Sequence, residues 1–446
     1  MKRSWLSLLV LAPMLALSVG CPKDGVTGKK DAGADGSVPQ GNYTVFQLDD
    51  STTWLGSSIQ QISIAVRSDD TVGVAFFAEN GVDVNSRKLY DIRYLKWNGT
   101  TSTPETVRNV FDTFGLSVAF QPSGEPAVAH MGGSTADATF WPQSDAAVSY
   151  RAGGTWTEAV AVVDSNEAPG SNAVSNAGFV VGVSPSLVFI NGAAFLAYRD
   201  VHNGQSAGGG DYGGSDLELA SGAPGAWTHE MVQEGGNDKG SYGGHNQMVV
   251  GAGGQPAIAT DRMPTSANST GIDVLYRSRN ASGAWEKPKK EPFYDLDATK
   301  AIKDNKSGPS LAWDAQLGYA IAANNAADST LYYTQSTNPV TVTWDAADPV
   351  VQEGTGSWFP SVAIDPQFHE PAIAFYFCSS TPGKAEGNCT DEDQLRVVQR
   401  KGGQWQQEVV DEAGGYQAKL AFLSTGKKVL VYRDPRSKVL KMAVEK

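Results

Sequence analysis

Apolar and polar positions alternate with a period of two along most of this chain, in short runs broken by Gly, Asn, Asp or Pro. Leu116-Ser117-Val118-Ala119-Phe120 leads through Gly124 and Glu125 to Pro126-Ala127-Val128-Ala129-His130. Pro360-Ser361-Val362-Ala363-Ile364-Asp365 leads through Glu370 to Pro371-Ala372-Ile373-Ala374-Phe375 in the same way. Each predicts a strand, a tight turn and a second strand. Related copies start near Ile62, Pro185, Gln247, Pro309 and Lys419, which makes seven. Most copies continue with a third strand, a Gly-containing turn and a Trp: Trp156, Trp227, Trp285, Trp344 and Trp405.

One unit therefore holds four strands, called A to D. The mean spacing from Ala65 to Ala421 is about 59 residues, longer than compact repeats, so loops carry insertions. Four-stranded units that cannot bury their own faces stack radially. The expected fold is all-β, a seven-bladed β-propeller over residues 43–446, folded as a monomer. Small residues at one register of strand A (Ala65, Ala119, Ala312, Ala363, Ala421) suit the crowded axis. The strand D tryptophans are expected to cover blade interfaces rather than stack on ligand. The last repeat has only three strands, while Tyr43-Thr44-Val45-Phe46-Gln47-Leu48 is an orphan before the first repeat. Pairing the two closes the ring and removes two sheet edges.

The N-terminus reads as a targeting segment. Lys2 and Arg3 precede an apolar run from Trp5 to Leu17, then Ser18, Gly20 and Cys21. The Gly-Cys junction resembles a bacterial lipobox, although Ser18 stands where Leu is usual. The resemblance implies a signal peptide over 1–20 and lipidation of Cys21, hence a membrane partner reached through a lipid anchor. Residues 22–41 contain no Leu, Ile, Met or aromatic residue. Such a segment cannot offset its ordering entropy, so 21–42 is expected to be a flexible tether. Pro22 after the cysteine favours the outer membrane of a bacterial cell envelope. The remaining pair, Cys378 and Cys389, is expected to form a disulfide in an exported chain.

The net charge of −13 argues against nucleic acid as a partner. There is no Gly-x-Ser-x-Gly, His-Glu-x-x-His or P-loop, and the His residues lack metal-ligand spacing. No cofactor or metal is expected. Asp391-Glu392-Asp393 is a candidate for Ca²⁺, with a solvated acidic tip as the alternative.

Loop length separates two faces. A–B turns are short, whereas B–C connections (78–90, 131–146, 200–215, 261–271, 378–394) and several D–A connections are long. Both long sets emerge on one face, where binding residues tend to gather. Arg199-Asp200, Asp261-Arg262 and Arg433-Asp434 reach that face on strand B, with His130 and Asn324 in similar places. His245, Trp358 and Tyr416 precede strand A. Three arginines on one rim suit a carboxylate or sulfate; alternatively each ties neighbouring blades together.

The repeat, Pro-Ser-Leu/Val-Ala-x-Asp…Gly-x-Pro-Ala-Ile-Ala-Tyr/Phe…Leu-x-Tyr…Trp, resembles the repeats of sialidase-like (BNR-type) seven-bladed propellers. The resemblance implies the fold. Sialidases also use three arginines, a Tyr–Glu pair and an acid Asp. This chain lacks their Arg-Ile-Pro signature, and its 278–285 turn is one residue longer than an Asp-box. The expected function is a surface-anchored lipoprotein binding a glycan or protein partner through the loop-rich face. The alternatives are a sialidase-like glycoside hydrolase and a structural subunit of an envelope assembly.

Overall fold

The computed structural model describes residues 38–50, 61–82, 88–111, 113–132, 144–163, 180–203, 214–235, 240–263, 273–293, 307–325, 329–336, 342–380, 389 and 392–446. Cys21, the stretch read as a targeting segment and the stretch read as a tether up to residue 37 lie outside them, as do most residues of the long B–C loops and Asp391.

The described strands form seven antiparallel sheets in a ring. Strands β1 (Val38–Gln40) and β2 (Tyr43–Asp49) come first in the chain. Blade 1 is β3 (Ile62–Val66), β4 (Val72–Val82), β5 (Lys88–Trp97) and β6 (Glu105–Val110). Blade 2 is β7 (Leu116–Phe120), β8 (Pro126–Gly132), β9 (Asp145–Ala152) and β10 (Thr155–Val162). Blade 3 is β11 (Val180–Ile190), β12 (Ala193–Asn203), β13 (Gly214–Ala223) and β14 (Ala226–Gln233). Blade 4 is β15 (Ser241–Val250), β16 (Pro256–Met263), β17 (Asp273–Arg279) and β18 (Trp285–Glu286). Blade 5 is β19 (Ser310–Asp314), β20 (Gly318–Asn325), β21 (Thr330–Gln335) and β22 (Asp348–Val351). Blade 6 is β23 (Thr355–Ile364), β24 (Pro371–Ser379), β25 (Gln394–Lys401) and β26 (Gln404–Asp411). Blade 7 is β27 (Tyr416–Phe422), β28 (Lys428–Asp434) and β29 (Val439–Glu445).

Blade 7 is completed from the other end of the chain. Its order is β1-β2-β29-β28-β27, with Tyr43 opposite Glu445 and Phe46 opposite Met442. The orphan strand thus closes the ring as expected, and β1 adds a fifth strand from within the stretch read as tether.

The core is distributed between blades, as stacking demands. Val72, Val74 and Phe76 of blade 1 pack with Val429, Val431, Leu440 and Met442 of blade 7. Ala372, Ala374 and Leu395 of blade 6 pack with Leu420, Leu430 and Tyr432 on the other side of blade 7. The tryptophans seal such seams. Trp156 meets Tyr94 of blade 1 edge-on at 5.5 Å, and Trp405 meets Tyr333 of blade 5 at 5.1 Å. Their indole N–H groups donate to Glu105 (3.0 Å) and Asp348 (2.9 Å), carboxylates of the preceding blade. This satisfies a polar edge that burial would otherwise penalise.

Strand A of each blade faces the axis. The channel there encloses about 360 Å³, lined by strand A residues of several blades, among them Ala65, Ala119 and Lys419. The disulfide between Cys378 and Cys389 is present and fastens the end of β24. Asp393, read as part of a solvated tip, is instead fully buried, and Glu392 accepts a 2.7 Å hydrogen bond from Ser379.

His130 makes acid stability testable. Its imidazole is fully buried on β8, Nδ1 lies 3.1 Å from the Met131 carbonyl and Nε2 2.9 Å from Ser149 Oγ. The Met131 carbonyl fixes Nδ1–H as a donor, and in the neutral ring Nε2 accepts from the Ser149 hydroxyl. Glu158 lies 3.6 Å away but is held by Arg108 at 2.7 Å. Burial pushes the His130 ring down to about 4. Between pH 6.5 and 4 the unfolded chain takes up a proton that the native state refuses, so stability should drop as the pH is lowered through that window. The loss should be on the order of 3 kcal/mol. His130→Asn keeps a donor for Met131 and should flatten this limb in urea titrations; an unchanged limb would contradict the assignment.

Candidate functional site

The nine rim candidates fall into two groups on opposite sides of the ring. Arg199, Asp200, His245, Asp261 and Arg262 belong to blades 3 and 4, and Trp358, Tyr416, Arg433 and Asp434 to blades 6 and 7.

Strand pairing fixes which way each points. On strand A, Ser186, Gln247 and Lys419 stand opposite Ala197, Ala259 and Val431 of strand B. Two residues further along strand B, on the same sheet face, come Arg199, Asp261 and Arg433. Arg262, Asp200 and Asp434 are one residue later and belong to the opposite face. The Arg-Asp order of blades 3 and 7 is inverted in blade 4, so a carboxylate stands where two other blades place a guanidinium.

This inversion builds a contact. Asp261 is fully buried. Its Oδ2 lies 2.7 Å from His245 Nδ1, and its Oδ1 accepts the His245 backbone N–H at 2.7 Å. One carboxylate thus holds the residue by both its backbone and its ring, with Nδ1 as donor. His245 Nε2 has no hydrogen-bond partner among the described residues. Gly308 gives the imidazole its room: a Cβ there would come within 2.2 Å of His245 Cβ. Arg199 of blade 3 is near enough to feel the charge of the Asp261 carboxylate. Its Nε donates to Ser215 Oγ (2.7 Å) and Nη2 to Ser241 Oγ (2.9 Å), which bridges blade 3 to strand A of blade 4. Burial pushes the guanidinium down, and the Asp261 carboxylate opposes that shift. Gly243, at φ +80°, is pressed against Arg199, where an added Cβ would sit 3.0 Å from Arg199 Cβ.

The second group is packed. Trp358 stacks on Tyr376 at 5.9 Å, and Tyr416 meets Phe359 edge-on at 4.5 Å. All four join Cys378 and Cys389 in one buried cluster. Phe359 and Gln417 have φ +55°, inside irregular stretches where strand A bulges at the loop-rich end. Arg433 is buried and donates from Nη2 to the Phe77 carbonyl of blade 1 at 2.6 Å. Burial pushes it down to about 10. Asp434 caps the β28–β29 turn through Arg436 N–H (2.9 Å) and Ser437 Oγ (2.7 Å), and it pairs with Lys441 at 2.8 Å. Asn324, at the same register as Arg199 and Arg433, donates to the Gly356 carbonyl of blade 6 at 3.1 Å. Such reach from one blade to the next is a common feature of this position.

Among the described residues, no three His, Cys, Asp or Glu side chains cluster as a metal site. No helix of the described residues is long and apolar enough to cross a membrane.

No protein-family model and no curated protein matches the chain. Solved structures similar to it include an ulvan lyase, described as a new polysaccharide lyase family, PL25. It is 13% identical, with 89% of this chain and 94% of that one covered and a TM-score of 0.54. The same lyase bound to -[GlcA(1-4)Rha3S]- matches at 12% identity, the same coverage and a TM-score of 0.54. A sialidase from Streptococcus pneumoniae is 12% identical, with 92% and 71% covered and a TM-score of 0.45. At these identities the likeness is one of fold: a β-propeller architecture that carbohydrate-cleaving enzymes also use.

Proposed function

We propose that the protein is an exported propeller, lipid-anchored at Cys21 in a bacterial envelope, whose loop-rich face binds an acidic glycan. The observation that carries the binding site is the triad of Arg199, Asp261 and His245. A buried carboxylate fixes an imidazole and lies beside a guanidinium, at the end of the blades where the long loops emerge. A sugar carboxylate or sulfate pairs with the guanidinium there, and a neighbouring sugar hydroxyl donates to the ring nitrogen. The second group, with Trp358 and Tyr416 buried in one cluster with the disulfide, supports a scaffold role on the other side of the ring.

An array of acidic and neutral glycans identifies the ligand, and calorimetry measures it. Arg199→Ala should weaken binding by about 1.5–3 kcal/mol, the range for a charged hydrogen bond. His369→Ala should leave binding intact, because that ring pairs with Asp314 across the A–B turns, at 2.9 Å. Binding confined to neutral glycans, or unchanged in Arg199→Ala, would refute the reading.

A second reading rests on the same dyad. An imidazole whose Nδ1–H is held by a buried carboxylate is oriented to take a proton at Nε2. Glycoside or uronate cleavage, abolished in His245→Ala, is its signature on a fluorogenic panel.

A further inference from the structure

Strand A carries a second repeated device, at the axis. Ser63 Oγ accepts the Val118 N–H of the next blade at 3.0 Å. Ser117 does the same for Leu187 (3.0 Å), Ser186 for Met248 (2.8 Å) and Ser310 for Val362 (2.8 Å). Ser361 accepts from Leu420 at 2.9 Å, and Gln247 Oε1 substitutes for a hydroxyl toward Leu311 at 3.0 Å. Six seams are latched by one side-chain oxygen receiving one backbone N–H. At the seventh, between blades 7 and 1, the equivalent residue is Lys419. An ammonium cannot accept. By the same register the outward N–H of blade 1 is that of Ile64. The chain's own substitute lies two residues earlier, where Gln417 Oε1 accepts the Gln61 N–H at 3.0 Å. It does not serve the Lys419 position.

We propose that this seam binds a small anion in the central channel, held by the Lys419 ammonium and the Ile64 N–H. Lys419 lines the 360 Å³ channel together with Ile64, and among the described residues no acidic side chain lines it with them. No hydrogen bond or ion pair to its ammonium is found among the described residues. Burial pushes the amine down to about 8, with no neighbouring carboxylate acting against that shift. A half-buried cation facing a channel without a counter-charge is unfavourable, and an anion supplies both the charge and the acceptor that the other six seams have. Chloride, acetate, sulfate and phosphate share this chemistry, and the site is separate from the rim triad.

The test is thermal unfolding of the full chain at constant ionic strength, with each of these four anions titrated in turn. At least one should raise the midpoint saturably, by roughly 4 °C at about a hundredfold excess over Kd. Lys419→Ser installs the residue found at five other seams. It should fold, latch to Ile64 and lose the saturable rise, keeping only the gradual shift that salts give any protein. Lys419→Met, which keeps the stem, should lose it too and serves if the serine variant fails to fold. No saturable rise with any of the four anions, or a rise that persists in either variant, would overturn the proposal.

Discussion

Removing residues 43–49 should leave a chain that does not hold its native fold at room temperature. Strand β2 sits at two seams at once. Tyr43 and Val45 belong to the core shared by blades 6 and 7, while Leu48 and Phe46 pack into the core shared by blades 7 and 1. Tyr43 and Val45 are buried, and the phenol donates to Glu408 at 2.6 Å. Four such side chains at about 2 kcal/mol each give roughly 8 kcal/mol, as large as the whole stability of many domains. The deletion also exposes β29 as an edge, so aggregation should accompany unfolding. Circular dichroism melts and light scattering check both. Deleting residues 23–37, which contain no Leu, Ile, Met or aromatic residue, is the control and should shift the melt little. Equal effects from the two deletions would remove β2 from its closing role.

The second large effect is expected at Asp411, the last residue of β26. Its carboxylate is fully buried and ties blade 6 to blade 7. It accepts from Tyr432 Oη at 2.5 Å, from Lys441 Nζ at 3.2 Å and from the Ala413 N–H at 3.0 Å. Tyr432 is itself buried, and its hydroxyl is held well above its ordinary pKa by burial, with the Asp411 charge adding to the shift. Asp411→Ala leaves that hydroxyl without its acceptor. Lys441 still pairs with Asp434 at 2.8 Å, which tempers the damage. A loss of about 3 kcal/mol is expected, at the lower end for breaking a buried charged network. Asp411→Asn, which can still accept from the phenol, should lose about half as much. Asp411→Ala combined with Tyr432→Phe should cost less than the sum of the two single changes, because they share one interaction. A urea midpoint for Asp411→Ala close to that of the parent chain would contradict this account.

The ring was legible because it is built from local signals. Alternation with a period of two and the Gly turns mark each hairpin, and a three-stranded last repeat calls for an outside strand. What stayed hidden depends on register. Arg199-Asp200 and Asp261-Arg262 look alike as charged pairs, yet reversing the order swaps which residue shares a face with Ser186 or Gln247. Periodicity cannot number a strand against its neighbour when bulges intervene, as they do between Tyr242 and Asn246. The His245–Asp261 contact follows from that local geometry. The burial of Trp358 and Tyr416 follows from packing between blades, which no single repeat contains. The Pro-Ser-Val and Pro-Ser-Leu starts were visible, but a hydroxyl that serves the next blade has no local signature.

The direction of β2 against β29 has a mechanical consequence. Tyr43 pairs with Glu445, and Lys446 N–H donates to the Asn42 carbonyl at 2.9 Å, so residues 42 and 446 stand side by side at one end of the β2–β29 ladder. Force applied between them peels β2 from β29 one hydrogen-bonded pair at a time instead of loading the whole ladder in shear. The ring therefore resists heat and denaturant through its full set of seams, but it opens under tension at a single zipper.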